Sequence, residues 1–366
     1  MFIVIMMTVV TLMQGYVWWH LGRLPWLTRR VSVQTLYRIG ALCWGLLFVD
    51  RLWRPEAESG WAWALEYFGM AWLGIAFLLF VHFLALDLVT GAGRWWLRWQ
   101  TALRTAALMS GLAASLWGLY QGMQPPVVVA HEVRLPQLPR ALDGTVVVAM
   151  SDMHVGPVLD ARWIAARVAQ VQAEKPDVIL LLGDIFEGYA PPTAAMLAEF
   201  RQLHAPLGVW AIMGNHEGYG PQPPEPTALF RSAGAELLRN RWAEIRPGLV
   251  LAGLDNTTSQ AQADVFATQA LRQHPQYAAT LLLSHEPHLP SAAARHGAEV
   301  MLSGHTHGGQ IWPFGYLVQQ RFPLLNGRYN LPDLSVIVLQ GTGTWGPRMR
   351  LGTQAEILRI TLRSGR

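Results

Sequence analysis

Five short polar segments beyond residue 150 carry residue types that could do chemistry. The last of them contains His305 and His307, which are separated by one residue and followed by two glycines. Residues i and i+2 of an extended chain point to the same side, so both imidazoles can face one point. The four earlier segments supply carboxylates, an amide and further imidazoles: Asp152 and His154; Asp184; Asn215, His216 and Glu217; and His285. One pair of histidines alone would be weak evidence, but five such segments together predict a site.

Each polar segment directly follows a short apolar run, which is the pattern of a buried β-strand. The runs are residues 146–150, 178–182, 209–213, 281–283 and 298–302. In sheets built from parallel strands and helices, ligands bind just beyond the strand ends, where several loops converge. We therefore expect the polar side chains of all five segments to come together there.

The donor atoms in these segments suit divalent cations. They are oxygen and nitrogen atoms without sulfur, a set that favours Mn²⁺, Fe or Zn²⁺ over a soft metal. Asp184 can bridge two ions through its carboxylate. The candidate metal ligands are Asp152, His154, Asp184, Asn215, His285, His305 and His307. Two ions about 3.5–4 Å apart can activate a shared hydroxide and assist an in-line displacement at phosphorus.

From residue 127 onward, short apolar strands alternate with amphipathic segments of helical period, which predicts an α/β fold. Roughly 240 residues are enough to bury a substantial core as one domain. A Pro-Pro pair at Pro125 and Pro126 separates this part from what precedes it. We assign residues 124–366 to a catalytic domain and residues 1–123 to a transmembrane helical region.

The first 123 residues have the composition of a membrane region. Only 14% of the whole chain is charged, against roughly 25% in an average protein, and twelve of the seventeen tryptophans lie here. Four apolar runs, at residues 1–19, 31–49, 67–86 and 105–123, are each long enough to cross about 30 Å of hydrocarbon as a helix. The first run lacks a basic start and a cleavage site, so we expect a retained span. An N-terminal bundle of about four transmembrane helices is therefore predicted.

Two arginine clusters predict the orientation of these spans. The first cluster lies between the first two runs or early in the second and consists of Arg23, Arg29, Arg30 and Arg38. The second cluster lies between the last two runs and consists of Arg94, Arg98 and Arg104. With four spans both clusters share one side, which the positive-inside rule makes cytoplasmic. We therefore expect a multi-pass protein of the cell (inner) membrane, with the lipid bilayer as a partner and residues 124–366 on the extracytoplasmic side. The chain has no basic stripe, so no nucleic-acid partner is expected.

In five ordered motifs the chain resembles the calcineurin-like metallophosphoesterase superfamily: Asp152-x-His154, Gly183–Asp184, Gly214–Asn215–His216–Glu217, His285 and Gly304–His305-x-His307. Residues 308–310 and 343–350 resemble the membrane-anchored bacterial branch of that superfamily. The resemblance covers roughly residues 127–362 and implies a four-layer αββα sandwich.

The resemblance also implies a role for each residue. One metal would be held by Asp152, His154, Asp184 and His307, and the other by Asp184, Asn215, His285 and His305. Asp184 and His216 would be the catalytic residues. His216 would not bind metal; it would stabilise negative charge and protonate the leaving alkoxide. Glu187 stands where the superfamily usually has aspartate, and we expect Glu187, Glu217 and His288 to lie behind the ligands.

The leading hypothesis is a membrane-anchored, dinuclear-metal phosphoesterase that hydrolyses a diester or a monoester by attack of a metal-bridging hydroxide. A membrane lipid or envelope phosphate is the substrate class that anchoring favours. The alternative is a non-catalytic, metal-dependent membrane receptor for a phosphorylated ligand, although an intact His216 is of no use to a pure binder. A third hypothesis is a transporter with an accessory domain. The spans contain few ionisable residues besides Arg38 and His82, so they offer little to line a transport pathway.

Overall fold

The computed structural model describes residues 2–52, 60–188, 191–219, 223–288, 291–332 and 334–365. The chain forms two compact units. The helical unit comprises Met1–Met123 and Gly346–Leu351, and the α/β unit comprises Gln124–Trp345 and Gly352–Arg366.

Within the described residues, the helical unit contains four long α-helices and one short one. They are α1 (Phe2–Leu21), α2 (Pro25–Thr28), α3 (Val33–Leu52), α4 (Gly60–Thr90) and α5 (Gln100–Met123). The end of α1 lies beside the end of α4, because His20 Nε2 is 3.2 Å from a carboxylate oxygen of Asp87. Trp26 Nε1 donates to the Thr105 hydroxyl, 3.0 Å away near the start of α5. The two arginine clusters therefore flank the same end of this bundle.

The expectation of four membrane spans is wrong. Among the described residues, two helical stretches are long and apolar enough to cross a bilayer, Val4–Leu21 and Trp63–Thr90. They correspond to the first and third predicted spans, of which Met1 lies outside the described residues. The helices α3 and α5 are as long as spans, but Arg38, Arg104 and several uncharged polar residues lower their hydropathy.

The segment Gly346–Leu351 belongs to the helical unit although it is distant from the helices in sequence. The backbone N–H of Arg350 donates to the carbonyl of Gly118 in α5 at 2.9 Å. The side chains of Met349 and Arg350 are fully buried. The glycine-rich motif at residues 343–350 is thus divided between the two units.

The described part of the α/β unit contains two six-stranded sheets. The strands are β1 (Val127–Leu135), β2 (Val146–Met150), β3 (Val178–Leu182), β4 (Val209–Ile212), β5 (Glu236–Leu237), β6 (Arg241–Arg246), β7 (Leu249–Gly253), β8 (Ala279–Leu283), β9 (Val300–Ser303), β10 (Gly327–Asn330), β11 (Ser335–Val338) and β12 (Glu356–Ser364). The first sheet has the order β1-β12-β2-β3-β4-β5 and the second β10-β11-β9-β8-β7-β6. Each sheet is mixed, since β12 runs antiparallel to β2, and β6 and β10 run antiparallel to β7 and β11.

Three apolar cores hold this unit together. The helices are α6 (Ala161–Ala173), α7 (Ala194–Phe200), α8 (Pro226–Ser232), α9 (Gln260–Ala270), α10 (Ser291–Arg295) and α11 (Gly315–Arg321). One core joins side chains of both sheets, such as Leu180 and Leu281. The outer face of the first sheet packs against α6, α7 and α8, and that of the second against α9 and α10. The predicted α/β sandwich is confirmed, with helices covering both outer faces.

Candidate metal centre

The strand ends position the predicted site residues. In the first sheet β2, β3 and β4 are parallel neighbours, and in the second β8 and β9 are parallel neighbours. The loops after these five strands carry all five polar segments. Backbone hydrogen bonds join two of the loops, because the N–H groups of Asp152 and His154 donate to the carbonyls of Gly183 and Asp184 at 3.0 Å.

The backbone at the site is strained. Eleven non-glycine residues with positive φ are found in the described chain, and five of them are predicted ligands: Asp152, His154, Asp184, His305 and His307. Such conformations cost free energy and persist only where the surroundings enforce them. Their concentration at the strand ends is the kind of strain that clusters at functional sites.

The structure brings the predicted ligands together in two groups. Asp152, His154 and His307 form one group, and Asp184, His285 and His305 form the other; within each group the ligand atoms lie within 4.8 Å of one another. All of these residues are buried except His305, which is half-buried. Buried carboxylates and imidazoles at this spacing offer the ligand types of a two-metal site.

Asp184 lies between the two groups. Its Oδ2 atom is 3.1 Å from His285 Nε2, 4.0 Å from His154 Nε2 and 4.0 Å from His216 Nε2. Burial alone would raise the pKa of Asp184, but the neighbouring histidines, His285 above all, hold it well below its usual range. The carboxylate is therefore ionised and can face an ion on either side.

Glu187 orients two imidazoles at once. His154 Nδ1 donates to one carboxylate oxygen at 2.8 Å, and His216 Nδ1 donates to the other at 3.0 Å. Burial opposes ionisation, yet these hydrogen bonds lower the pKa of Glu187 below its usual range. A carboxylate behind a histidine in this way fixes the tautomer that leaves Nε2 free for a metal. His154 Nε2 accordingly points into the centre, 3.1 Å from His307 Nε2.

On the other side, a backbone carbonyl replaces the carboxylate. His285 Nδ1 donates to the carbonyl of Leu182 at 2.8 Å, which leaves Nε2 facing Asp184. Burial lowers and Asp184 raises the pKa of His285, and the net effect is a pKa of about 10. Burial, followed by the charge of His285, lowers the pKa of His305 to about 3. The His305 ring packs edge-on against His285 and Phe322.

The hydrogen bonds of Asn215 indicate whether the residues of the site fit a metal ion. Its Nδ2 donates to the Tyr219 hydroxyl at 2.8 Å. Its Oδ1 is buried and has no hydrogen-bond partner. A buried acceptor without a partner is costly unless something else satisfies it. A cation beside Oδ1 would do so, and the residues present therefore fit the two-metal interpretation.

Glu217 anchors the loops that carry Asp184 and Asn215. Its carboxylate is buried and accepts hydrogen bonds of 2.7–3.1 Å from four backbone N–H groups, those of Asp184, Ile185, Phe186 and Gly214. Burial and the charge of Asp184 raise its pKa. Glu217 thus holds the backbone at the bridging carboxylate and does not contact a ligand side chain through these bonds.

Two glycines are required by the close approach of these loops. A Cβ atom on Gly214 would collide with the carboxylate of Asp184, and one on Gly183, where φ is +85°, would lie 2.5 Å from the Gly214 nitrogen. Any larger residue would push the loops after β3 and β4 apart. This is the physical reason for the Gly–Asp and Gly–Asn pairs.

The structure places His288 differently from the other predicted residues. Its Nε2 is 2.9 Å from a carboxylate oxygen of Glu286, and its ring contacts Phe322, which in turn packs on His305. Sequence reasoning did not single out the Leu182 carbonyl or the rings of Tyr219, Phe322 and Trp345 as parts of the site. The sequence carries no signal for a backbone carbonyl. A tryptophan in a glycine-rich segment, such as Trp345, is a signal from which a residue of the site could have been predicted.

Comparisons with known proteins agree with this geometry. Residues 145–309 match the model of the calcineurin-like phosphoesterase family. A transmembrane protein with metallophosphoesterase domain from Bos taurus is 32% identical over 286 residues, and one from Danio rerio is 30% identical over 277. Each alignment covers 72% of this chain, which spans 64% and 63% of those relatives.

A bacterial relative is matched over almost all of its length. An uncharacterized metallophosphoesterase of Aquifex aeolicus is 30% identical over 241 residues, which is 64% of this chain and 91% of the relative. The motifs, the two-sheet sandwich and these similarities all agree. The chain belongs to the calcineurin-like metallophosphoesterase family.

Proposed function

We propose that the protein hydrolyses a phosphate ester at a centre of two divalent cations. The observation that carries this proposal is the position of Asp184, whose Oδ2 faces histidines from both ligand groups at 3.1–4.0 Å. A carboxylate in that position suits a bridge between two ions. Such a pair of ions is the recurring device for in-line displacement at phosphorus.

The chain's own residues divide into two ligand sets. Asp152, His154, Asp184 and His307 would hold one ion, and Asp184, Asn215, His285 and His305 the other. When bound, the ions supply Lewis-acid chemistry that polarises the phosphoryl oxygens. Mn²⁺, Fe and Zn²⁺ all suit this donor set.

His216 would act as the proton donor. Its Nδ1 is bound to Glu187, so the ring presents Nε2 to the centre, 4.0 Å from Asp184 Oδ2. Hydrolysis adds the oxygen of water to phosphorus and breaks the bond to the leaving alcohol. Because Nδ1–H is bonded to Glu187, His216 would donate from Nε2 as the imidazolium. That proton would go to the alkoxide, and the proton released by the attacking water would restore it. Glu187 keeps the ring in place throughout.

The helical unit would anchor the enzyme in a bilayer. Support comes from the two apolar helices and from the vertebrate relatives whose names include the word transmembrane. The arginines lie at one end of the bundle, and we propose that this end faces the cytoplasm. Anchoring would bring the enzyme close to phosphate esters of lipids or of the envelope.

The test uses the full chain purified in detergent and loaded with Mn²⁺. Hydrolysis of bis(p-nitrophenyl) phosphate and of p-nitrophenyl phosphate is measured for the wild type and for His216→Ala. Phenyl phosphate is measured as well, because phenolate leaves poorly without a proton whereas p-nitrophenolate does not. Loss of the general acid should lower kcat on phenyl phosphate about 10²–10⁴-fold, and on the nitrophenyl esters by less, while the ion content stays the same. The exposed His204, which contacts Gln172, supplies the control His204→Ala. Equal turnover of phenyl phosphate by His216→Ala and wild type would overturn the assignment.

A further inference from the structure

Two half-exposed aromatic rings lie beside the imidazole of His216. The ring centroid of Tyr219 is 4.8 Å from that of His216, and the centroid of Trp345 is 6.4 Å from it at an interplanar angle of 79°. Tyr219 is 40% exposed and Trp345 47% exposed, whereas His216 itself is buried. The proton donor is therefore bordered by two apolar faces that solvent can reach.

Both residues are tied to the site by hydrogen bonds. The side-chain amide of Gln310 donates to the carbonyl of Trp345 and accepts from its N–H, both at 2.9 Å. Gln310 follows the ligand His307 by three residues and is buried. The Tyr219 hydroxyl accepts from Asn215 Nδ2. The rings are thus held in position by neighbours of the metal ligands and are not merely loose surface groups.

The other side of the centre offers no such surface among the described contacts. The aromatic ring against His305 is that of Phe322, which is only 8% exposed and is therefore packed into the protein. Open aromatic surface occurs beside the proton donor, where the proposed chemistry puts the leaving alcohol. A group attached to that alcohol oxygen must lie within reach of Tyr219 and Trp345.

We propose that Tyr219 and Trp345 bind the alcohol portion of the substrate, and that this portion carries a planar aromatic ring. Aromatic rings stack on, or pack edge-on against, tryptophan and tyrosine at centroid separations of about 4.5–7 Å. Single-residue studies of base stacking show that one such contact changes affinity substantially, by about tenfold or more. The inference rests on the proposed function, because it requires the leaving alcohol to lie beside His216.

The test measures binding and not turnover. The Mn²⁺-loaded full chain in detergent is titrated calorimetrically with phenylphosphonate, cyclohexylphosphonate and methylphosphonate, which are not hydrolysed. The wild type should bind phenylphosphonate about tenfold more tightly than methylphosphonate, with cyclohexylphosphonate closer to methyl. Cyclohexyl binding equal to phenyl would overturn the planar requirement, and equal binding of all three would overturn the site.

Variants locate the effect. Trp345→Ala should reduce the phenyl preference to less than about threefold, and Trp345→Phe should retain most of it, since a ring remains. The control is Tyr277→Ala, which removes a 71% exposed ring elsewhere in the α/β unit. An unchanged preference in Trp345→Ala with unchanged ion content would refute the inference.

The two proposals fail in distinguishable ways. A chain that hydrolyses esters with dependence on His216 but shows no phenyl preference refutes the ring-binding inference alone. A chain that prefers phenylphosphonate through Trp345 but turns over neither nitrophenyl ester refutes the proposed hydrolysis and leaves the aromatic binding surface.

Discussion

On one side of the metal centre a single carboxylate orients two histidines, whereas on the other side a backbone carbonyl orients one. Glu187 bonds the Nδ1 atoms of His154 and His216, while the Leu182 carbonyl bonds Nδ1 of His285. A carbonyl belongs to the strand and no substitution removes it. The carboxylate side can therefore be altered by mutation without touching a ligand, and the carbonyl side cannot. Asp184 belongs to both sides, and the predictions begin there.

The largest effect is expected from Asp184→Ala. Because Oδ2 of Asp184 faces histidines of both sides, this variant should lose both ions and all measurable turnover. Elemental analysis of the purified full chain measures the ion content. Asp255→Ala is the control, since it removes a carboxylate bound to Arg239. Full occupancy in Asp184→Ala would contradict the bridging role.

Glu187→Gln should weaken one side only. Glutamine cannot accept hydrogen bonds from both Nδ1 atoms, so His154 and His216 lose their common orientation. Loss of such a partner costs about 10–100-fold in metal affinity. Titration of the metal-free chain with Mn²⁺ should show one weakened site and one normal site.

The matched control lies on the carbonyl side. Glu286 bonds His288, so Glu286→Gln alters a carboxylate–imidazole pair that contains no predicted ligand. Both metal sites of the Glu286→Gln variant should bind Mn²⁺ as tightly as those of the wild type. If Glu187→Gln weakened both ions equally, the two sides would not be independent and the comparison would fail.

Glu217→Gln should affect both sides equally, through stability. Its carboxylate accepts four backbone N–H groups around Asp184 and Gly214, and an amide would turn an NH₂ toward some of them. Leaving a buried donor unsatisfied costs about 1–3 kcal/mol. Thermal unfolding should show this as a Tm lower by about 2–4 °C per kcal/mol.

The reference for this measurement is Glu236→Gln. Glu236 forms an exposed ion pair with Arg241, and such pairs contribute about 0–1 kcal/mol. A Tm of Glu217→Gln no lower than that of Glu236→Gln would show that the four bonds do not stabilise the loops.

The smallest effect is expected from His288→Ala. Its ring reaches the site only through Phe322, which packs on His305. Ion content should be unchanged, and KM and kcat for the preferred nitrophenyl ester should shift less than threefold. Loss of one ion would place His288 among the ligands and change the account of the carbonyl side.

Elements with a strong apolar pattern were predictable from the sequence. The strands Val146–Met150 and Val178–Leu182 have the bounds of the apolar runs that predict them. The strand Arg241–Arg246 did not stand out, because it lies at a sheet edge and alternates charged with half-buried residues. A hydrophobic pattern in the sequence identifies a helix or strand only where burial of one face restricts the residue types that can occupy it.

The helical unit shows the same limit. Apolar runs predicted four long helices, and α1, α3, α4 and α5 are present. Which of them could span a membrane was predicted wrongly, because a run interrupted by Arg38 and a run bordered by Arg104 were still counted as spans. Helix formation depends on local pattern, whereas suitability as a span depends on the sum over some twenty residues.

The amino-acid sequence by itself determined the family, the sandwich and the identity of the candidate ligands, because the chemistry needs those residue types after those strands. Only the tertiary structure decided what lies between them. The bridge of Glu187 between His154 and His216, the carbonyl behind His285, and the placing of Trp345 beside His216 join residues from separate loops. The first arises where loops after neighbouring strands of one sheet meet and the second where the two sheets pack together, so no local pattern along the chain encodes them.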